Sequence, residues 1–283
     1  MPARYGVVGD PIAHTKSPLI HRAFAAATGQ TLSYEKFHVT SDQFSQFVHD
    51  FFEDGGSGLN VTLPHKIAAA ALAQELTPRA QQAGAVNTLL RGPQGHLMGD
   101  NTDGAGLVAD LKRLGAPVRD ARIVIIGAGG AVRGILGPLL FEQPAMVWIA
   151  NRNAERAAEL IKEFATESDQ IVLRSSDLTM LDEIGAADLL LQATPLGLHG
   201  QLPDLADSLI GPKTFAYDLG YAEGPTIFET WALSKGAKHA TSGIGMLIEQ
   251  AAEAFWVWRG IRPDTGALHA TQGLRSSVAV NKP

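Results

Sequence analysis

Lys66 and Asp103 have the side-chain types suited to moving a proton at an alcohol or ketone oxygen, and each sits in a short polar motif. Lys66 closes Asn60–Lys66 (NVTLPHK), and Asp103 lies in Gly99–Gly104 (GDNTDG). Two more motifs, Gly9–Pro18 (GDPIAHTKSP) and Gly84–Thr88 (GAVNT), lie in the same N-terminal stretch. Each places hydroxyl, amide, ammonium or carboxylate groups beside glycine or proline, where the chain turns. That composition suits a pocket for a small polyhydroxylated anion. Interconverting a secondary alcohol and a ketone moves a hydride and a proton; a cofactor carries the hydride, so the protein must carry the proton. Lys66 follows Pro64 at the start of a predicted helix, where the positive end of the dipole favours release of a proton. Asp103 also starts a predicted helix, and taken alone it reads equally well as a cap.

A second constellation concerns a nucleotide. Gly127–Gly134 (GAGGAVRG) follows the β-branched run Arg122–Ile126 and opens a helical pattern. Gly127 and Gly129 permit a tight turn and close approach of the backbone to a pyrophosphate, and the helix N-terminus favours the negative charge. Ala128, Gly130 and Ala131 complete the loop. The usual fingerprint has glycine or alanine where this chain has Val132, with Gly134 nearby. At the end of the next predicted strand, an NAD-binding chain places an acidic residue for the ribose hydroxyls. Here the sequence reads Ala150–Asn153 (ANRN), with Arg156 beyond. Arginine can grip a 2′-phosphate bidentately and stack on adenine, so Arg152 and Arg156, with Asn151 and Asn153 beside them, point to NADP(H).

The four polar motifs, in this order and with the loop behind them, resemble the shikimate dehydrogenase family from Gly6 to about Gly260. The resemblance implies reversible NADPH-dependent reduction of 3-dehydroshikimate to shikimate, a step of aromatic amino acid biosynthesis through chorismate. It implies Lys66 as general acid/base and Asp103 as the partner that binds the substrate hydroxyl beside it. By the same resemblance Asn60, Thr62 and Asn87 bind substrate hydroxyls, while Thr15 and Ser17 hold the carboxylate. Tyr221 touches that carboxylate, Gln250 touches the substrate, and Leu219 and Gly243 lie toward the nicotinamide. His14 and His21 read as structural. The chain departs from the family pattern at Thr15 (commonly serine), Asn153 (often threonine) and Gln192 (usually asparagine). Competing readings are a quinate/shikimate dehydrogenase paralogue, a methylenetetrahydrofolate dehydrogenase, and a non-catalytic dinucleotide sensor. The dense hydroxyl-binding set suits a small acid better than a pterin, and a sensor has no need of Lys66 and Asp103 together.

Composition narrows the setting. The 283 residues are 45% hydrophobic and 18% charged, as in an ordinary globular protein of two lobes. The formal net charge of −6, without long like-charge blocks, argues against a nucleic-acid partner. No apolar run has the length of a membrane helix, and the N-terminal apolar run is stopped by Asp10. With no cysteine there is no disulfide, thiolate nucleophile or cysteine-bound metal, and no metal site is expected. The expectation is a cytoplasmic enzyme, monomeric or homodimeric, acting on a small molecule.

The elements that must position these residues follow from periodicity. Strands are predicted at Tyr5–Gly9, Leu32–Val39, Gly58–Leu63, Ala85–Leu90 and His96–Met98, with helices at Pro18–Thr28, Asp42–Glu53 and His65–Leu76. Such alternation means a mostly parallel sheet covered by helices. A helix over Gly104–Leu114 then leads to a Rossmann-like unit. Its strands are Arg122–Ile126, Met146–Ala150, Ile171–Arg174, Asp188–Gln192 and Thr214–Asp218, with a helix at Asn153–Glu167. The fold class is therefore α/β in two lobes, with a cleft expected between them. The predicted domains are a substrate domain (1–103, completed by a helix within about 243–262), an NADP domain (104–242) and a polar, frayed tail (263–283). The final helix, Gly245–Arg259, carries an apolar stripe of Leu247, Ala251, Ala254, Phe255 and Trp258. The glycine-bearing links Asp103–Gly106 and Ser242–Gly245 are the candidate hinges for lobe closure.

Overall fold

The computed structural model describes residues 2–165 and 170–276. The chain forms two compact units, and the boundaries between them fall within four helices. One unit comprises the chain up to Gly106 together with Arg133–Gly137 and Leu247–Gly266. The other comprises Leu107–Val132, Pro138–Met246 and the helical residues from Ala267.

The first unit is a six-stranded sheet with helices. Its elements are β1 (Ala3–Gly9), α1 (Ser17–Ala27), β2 (Leu32–His38), α2 (Phe44–Glu53), β3 (Gly56–Val61), α3 (Lys66–Leu72), β4 (Glu75–Leu76), α4 (Pro78–Ala83), β5 (Thr88–Arg91), β6 (Leu97–Asp100) and the start of α5 (Asp103–Leu114). The strand order is β2-β1-β3-β5-β6-β4. Strands β1, β2 and β3 run parallel, as do β4 and β6, while β5 is antiparallel to both of its neighbours. Alternation along β1 sends Val8 to one face, against Phe44, Val48, Phe51 and Leu59. Tyr5 and Val7 go to the other, with Ile12, Tyr34 and Trp258.

The short α4 has both sequence signals of a helix. Thr77 caps it by accepting from the Ala80 N–H, Pro78 follows, and Gly84 ends it in the left-handed region. At six residues it falls below the reach of periodicity, and the predicted helix His65–Leu76 instead ends at Leu72 and gives way to β4.

The second unit continues with β7 (Arg122–Ile126), α6 (Gly130–Phe141), β8 (Met146–Ala150), α7 (Ala154–Phe164), β9 (Val172–Ser176), α8 (Leu181–Ile184), β10 (Leu189–Gln192), β11 (Phe215–Asp218), α9 (Ile227–Ser234), β12 (His239–Ser242) and the first turn of α10 (Ile244–Arg259), the rest of which belongs to the first unit. Its sheet is parallel throughout, in the order β12-β11-β10-β7-β8-β9. The order reverses between β7 and β10, and at the carboxyl ends of strands flanking such a point doubly wound sheets bind nucleotides. Ile123, Val124, Ile125 and Ile126 of β7 are wholly buried, as a strand covered on both faces requires.

The C-terminal segment differs from its sequence reading. Beyond Pro263 the chain forms α11 (Gly266–Ser276), where a frayed tail was expected. The Asp264 carboxylate accepts from the Gly266 N–H at 2.9 Å and so anchors the first turn. The predicted positions 277–283 of that tail, and Thr166 and Glu167 of the predicted helix Asn153–Glu167, lie outside the described residues.

Candidate active site

Sheet topology gathers the polar motifs of the first unit at one edge. The GDPIAHTKSP loop follows β1 and the threonine–lysine turn follows the parallel β3. The NTDG turn follows β6, and Asn87 precedes the antiparallel β5. Lys66 is the first residue of α3 and Asp103 the first of α5. Their side chains meet: Lys66 Nζ lies 2.5 Å from Asp103 Oδ2, at 12% and 5% side-chain exposure. Asp103 is further fixed by its own N–H, which donates to Asn101 Oδ1 at 3.1 Å. A carboxylate in the first turn of a helix is favourably placed in the helix dipole.

Around this pair the amides form a buried lattice. Asn87 Nδ2 lies within hydrogen-bond range of Asp103 Oδ1 (2.8 Å), Thr102 Oγ1 (2.9 Å) and Gln250 Oε1 (3.3 Å). Asn87 Oδ1 accepts from the Thr102 N–H at 2.8 Å. Asn60 Nδ2 donates to the Asn87 main-chain carbonyl and to Thr88 Oγ1, while its Oδ1 accepts from the Tyr34 hydroxyl. Gln250 is buried, not exposed, and α10 is buried beyond its apolar stripe, since Ile248 and Ala252 are also fully covered.

Thr62 follows β3 directly, half-buried, with its methyl group against Gly9. Thr15 donates its hydroxyl hydrogen to Ser17 Oγ at 3.1 Å. Ser17 is the first residue of α1, and the cap position falls to Lys16, whose side chain makes no cap bond. The Ser17 hydroxyl thus serves no helix-capping bond, which leaves the Thr15–Ser17 pair available at the α1 N-terminus. Tyr34, Thr88, Asn101 and Thr102 escaped the sequence reading as site residues. Three of the four lie within the quoted motifs, whereas Tyr34 looks like any aromatic residue of a half-buried strand.

His21 has the structural character expected of it. It is fully buried, neither ring nitrogen has a hydrogen-bond partner among the described residues, and its ring stacks on Tyr34 at 4.2 Å. Burial pushes its imidazole down to about 3, and the nearby Asn60 amide offsets only part of that.

In the second unit the loop after β7 has the geometry of a phosphate cradle. Gly127 has φ +118°, a conformation open to glycine and costly for other residues. Gly129 caps α6, with no atom within 4 Å of the position a Cβ would take. Ala128, Gly130 and Ala131 carry the backbone into the first turn, and Val132, at the departed position, is fully buried in the unit's interior.

After β8, Arg152, Asn153 and Arg156 are exposed. The Asn153 side chain caps α7 by accepting from the Arg156 N–H at 3.1 Å, and Asn151 Nδ2 donates to the Asn153 carbonyl at 2.8 Å. The two asparagines therefore shape the turn that presents both guanidinium groups. Open glycine backbone, a helix N-terminus and two exposed guanidinium groups at the switch end of a parallel sheet fit a dinucleotide carrying an extra phosphate.

Leu219 N–H bonds to the Gln192 carbonyl at 2.8 Å, and Gly243 N–H bonds to that of Gly220 at 2.9 Å. A side chain at Gly243 would collide with the Leu219 carbonyl. Tyr221 follows in the same segment, half-buried. Burial pushes the neighbouring Asp218 carboxyl up, with the Thr226 hydroxyl and the Gly220 N–H countering it. Among the described residues no group of acidic, histidine or cysteine side chains could hold a metal ion, and no helix is long and apolar enough to cross a membrane.

Comparison with known proteins gives the family. The shikimate dehydrogenase substrate binding domain model matches residues 7–89, the shikimate / quinate 5-dehydrogenase model 110–196, and the shikimate 5'-dehydrogenase C-terminal domain model 243–271. The chain belongs to the shikimate dehydrogenase family. Family members named shikimate dehydrogenase (NADP(+)) include one from Marinobacter nauticus, 46% identical over 96% of this chain and 98% of the relative. Another, from Alkalilimnicola ehrlichii, is 48% identical over 95% and 98%. Among solved structures, the Thermus thermophilus shikimate 5-dehydrogenase in complex with NADP(H) and shikimate has a TM-score of 0.83 at 33% identity, covering 96% of this chain and 99% of that one. The Ael1 enzyme from Pseudomonas putida has a TM-score of 0.84 at 41% identity, covering 95% and 97%.

Proposed function

We propose that the chain catalyses the reversible NADPH-dependent reduction of 3-dehydroshikimate to shikimate. The observation that carries the reading is the Lys66–Asp103 pair, 2.5 Å apart and nearly buried among amide and hydroxyl groups, in a member of this family. NADP(H), when bound, supplies the hydride to the ketone carbon and takes it back in the reverse direction; Gly127, Gly129 and Gly130 would hold its pyrophosphate, and Arg152 and Arg156 its 2′-phosphate. Lys66 Nζ gives a proton to the ketone oxygen as the new C–H bond forms, and in oxidation it takes the hydroxyl proton away. Asp103 holds the ammonium group and the reacting oxygen together. Asn60, Thr62, Asn87 and Gln250 bind substrate hydroxyls and fix the face presented for transfer. Thr15, Ser17 and Tyr221 receive the carboxylate, the first two beside the N-terminus of α1. Leu219 and Gly243 lie toward the nicotinamide.

The same reading has the protein acting in the cytoplasm as a monomer or homodimer. The test is nicotinamide absorbance during turnover of shikimate and of quinate, each with NADP+ and NAD+. Efficient oxidation of shikimate with NADP+ is expected. A higher kcat/KM for quinate would hand the assignment to the quinate/shikimate paralogue, and no turnover of either would leave a sensor.

A further inference from the structure

We propose that Tyr34 and Thr88 are positioning residues for Asp103, acting through a one-directional chain of buried hydrogen bonds. The inference rests on the reading of Lys66 and Asp103 as the pair that handles the proton. The chain has four links. The Tyr34 hydroxyl donates to Asn60 Oδ1 at 2.8 Å, and Asn60 Nδ2 donates to Thr88 Oγ1 at 3.1 Å. Thr88 Oγ1 donates to Asn87 Oδ1 at 2.8 Å, and Asn87 Nδ2 donates to Asp103 Oδ1 at 2.8 Å. All five residues are buried, Thr88 completely.

Two main-chain groups fix the direction. Asn60 Nδ2 also faces the Asn87 carbonyl oxygen at 3.2 Å, an atom that can only accept. Asn87 Oδ1 also faces the Thr102 N–H at 2.8 Å, a group that can only donate. Both amides are therefore set, each with its oxygen and nitrogen assigned by a partner that has no alternative. The Thr88 hydroxyl must then accept from Asn60 and donate to Asn87, and Tyr34 must donate to Asn60. Every hydrogen in the chain points toward the carboxylate.

Such a chain polarises cumulatively where water is excluded. It holds Oδ1 of Asp103 from one side and leaves Oδ2 for the ammonium group of Lys66. Asn87 Nδ2 has two hydrogens and three acceptors in range, so its amide needs an outside restraint to keep one hydrogen on Asp103. Thr88, bonded to the far atom of that amide, supplies a side-chain restraint. The far end is steadied in turn, because the His21 ring stacks on Tyr34 with planes 9° apart.

The experiment uses the full chain with saturating NADP+ and compares Thr88→Val, Thr88→Ser and Tyr34→Phe. It reads kcat, KM for shikimate, the solvent deuterium isotope effect on kcat, and thermal unfolding. Thr88→Val should lower kcat about tenfold with KM moving no more than about twofold and the isotope effect rising, as loss of the two middle bonds of a charge-directed chain implies. Thr88→Ser should restore kcat, and Tyr34→Phe should lower it about threefold, being two links further from the carboxylate. A rise in KM alone would overturn the proposal, since the chain would then serve only substrate binding by Asn60. An unchanged kcat in Tyr34→Phe would overturn the role of Tyr34, and that variant decides alone if Thr88→Val does not fold. Asp103→Asn is run beside them. If Asp103→Asn collapses kcat while Thr88→Val and Tyr34→Phe do not, this inference fails by itself. If Asp103→Asn turns over normally, the proton assignment fails and takes this inference with it.

Discussion

In the first unit, candidate site residues are held by side chains bonded to side chains, most of them buried, as with Asn60, Asn87, Asp103 and Gln250. In the second unit they are main-chain atoms of Gly127, Gly129 and Gly130 beside exposed arginines on a short turn. A small acid with several hydroxyls must be read atom by atom, and fixed directional groups do that. A pyrophosphate needs only a concave run of N–H groups and local positive charge, which backbone supplies at little cost in sequence. Single substitutions should therefore act sharply in the first unit, whereas in the second they should act through charge or backbone conformation.

The largest expected effect lies in the framework of the first unit. Arg79 is bound through Nε and Nη2 to both oxygens of Asp100, at 2.7 and 2.5 Å, and through Nη1 to Glu253 at 2.8 Å. Asp100 is 2% exposed, and burial opposes its charge. Arg79, the Thr77 hydroxyl and the Asn101 N–H outweigh that and hold its carboxyl below the usual range. Arg79→Leu would leave the buried Asp100 carboxylate without its counter-charge, while Glu253 keeps Arg262, and should cost about 3–5 kcal/mol of stability, read from denaturant midpoints. A loss below about 1 kcal/mol would mean the pair behaves as a surface contact.

Next comes Lys66→Ala, which should lower kcat about a hundredfold or more while substrate still binds. If KM alone rose, Lys66 would be a binding group and the proton would travel another way. Arg152→Asp should be milder, lowering the preference for NADP+ over NAD+ about tenfold or more through loss of a charge-assisted phosphate contact. An unchanged ratio of kcat/KM values would remove Arg152 from cofactor selection.

Acid sharpens the comparison most gently. His21 is held neutral by burial, so stability is full above about 6.5 and is lost as pH falls toward 3, because the unfolded chain takes up a proton first. Asp100, held low, adds a further loss once pH passes below the ordinary carboxylate range. In the second unit burial is the main cause that raises Asp218 and Glu229, so protonating them relieves a cost in the folded state. Hydrogen exchange at pH 7 and pH 5 should show protection falling more in the first unit than in the second. The opposite order would refute the assignment of these groups.

Much of this was legible in the sequence. Arg122–Ile126 reads as a buried strand and has those bounds in the structure, because four consecutive branched apolar residues suit only a strand covered on both faces. The glycine loop between β7 and α6 was legible from its glycines and from the strand before it. The pairing of Lys66 with Asp103 was not legible from spacing, since 37 positions separate them; resemblance to a family suggested it. Tyr34 was hidden because a strand pattern marks an inward aromatic residue without saying what its hydroxyl meets. The reversal of β5 was hidden because short antiparallel and parallel strands share composition, and α4 and α11 are too short or too polar to show a period.

The first unit is discontinuous, for it draws Leu247–Gly266 from near the other end of the chain. A ribosome releases residues in order, and long-range contacts wait for their later partner. The run Pro138–Met246 of the second unit is thus made before Gln250 and Glu253 exist, although most of the first unit precedes it. During synthesis Arg79 must wait for Glu253 and Asn87 for Gln250, so the lattice around Asp103 is among the last parts to be completed.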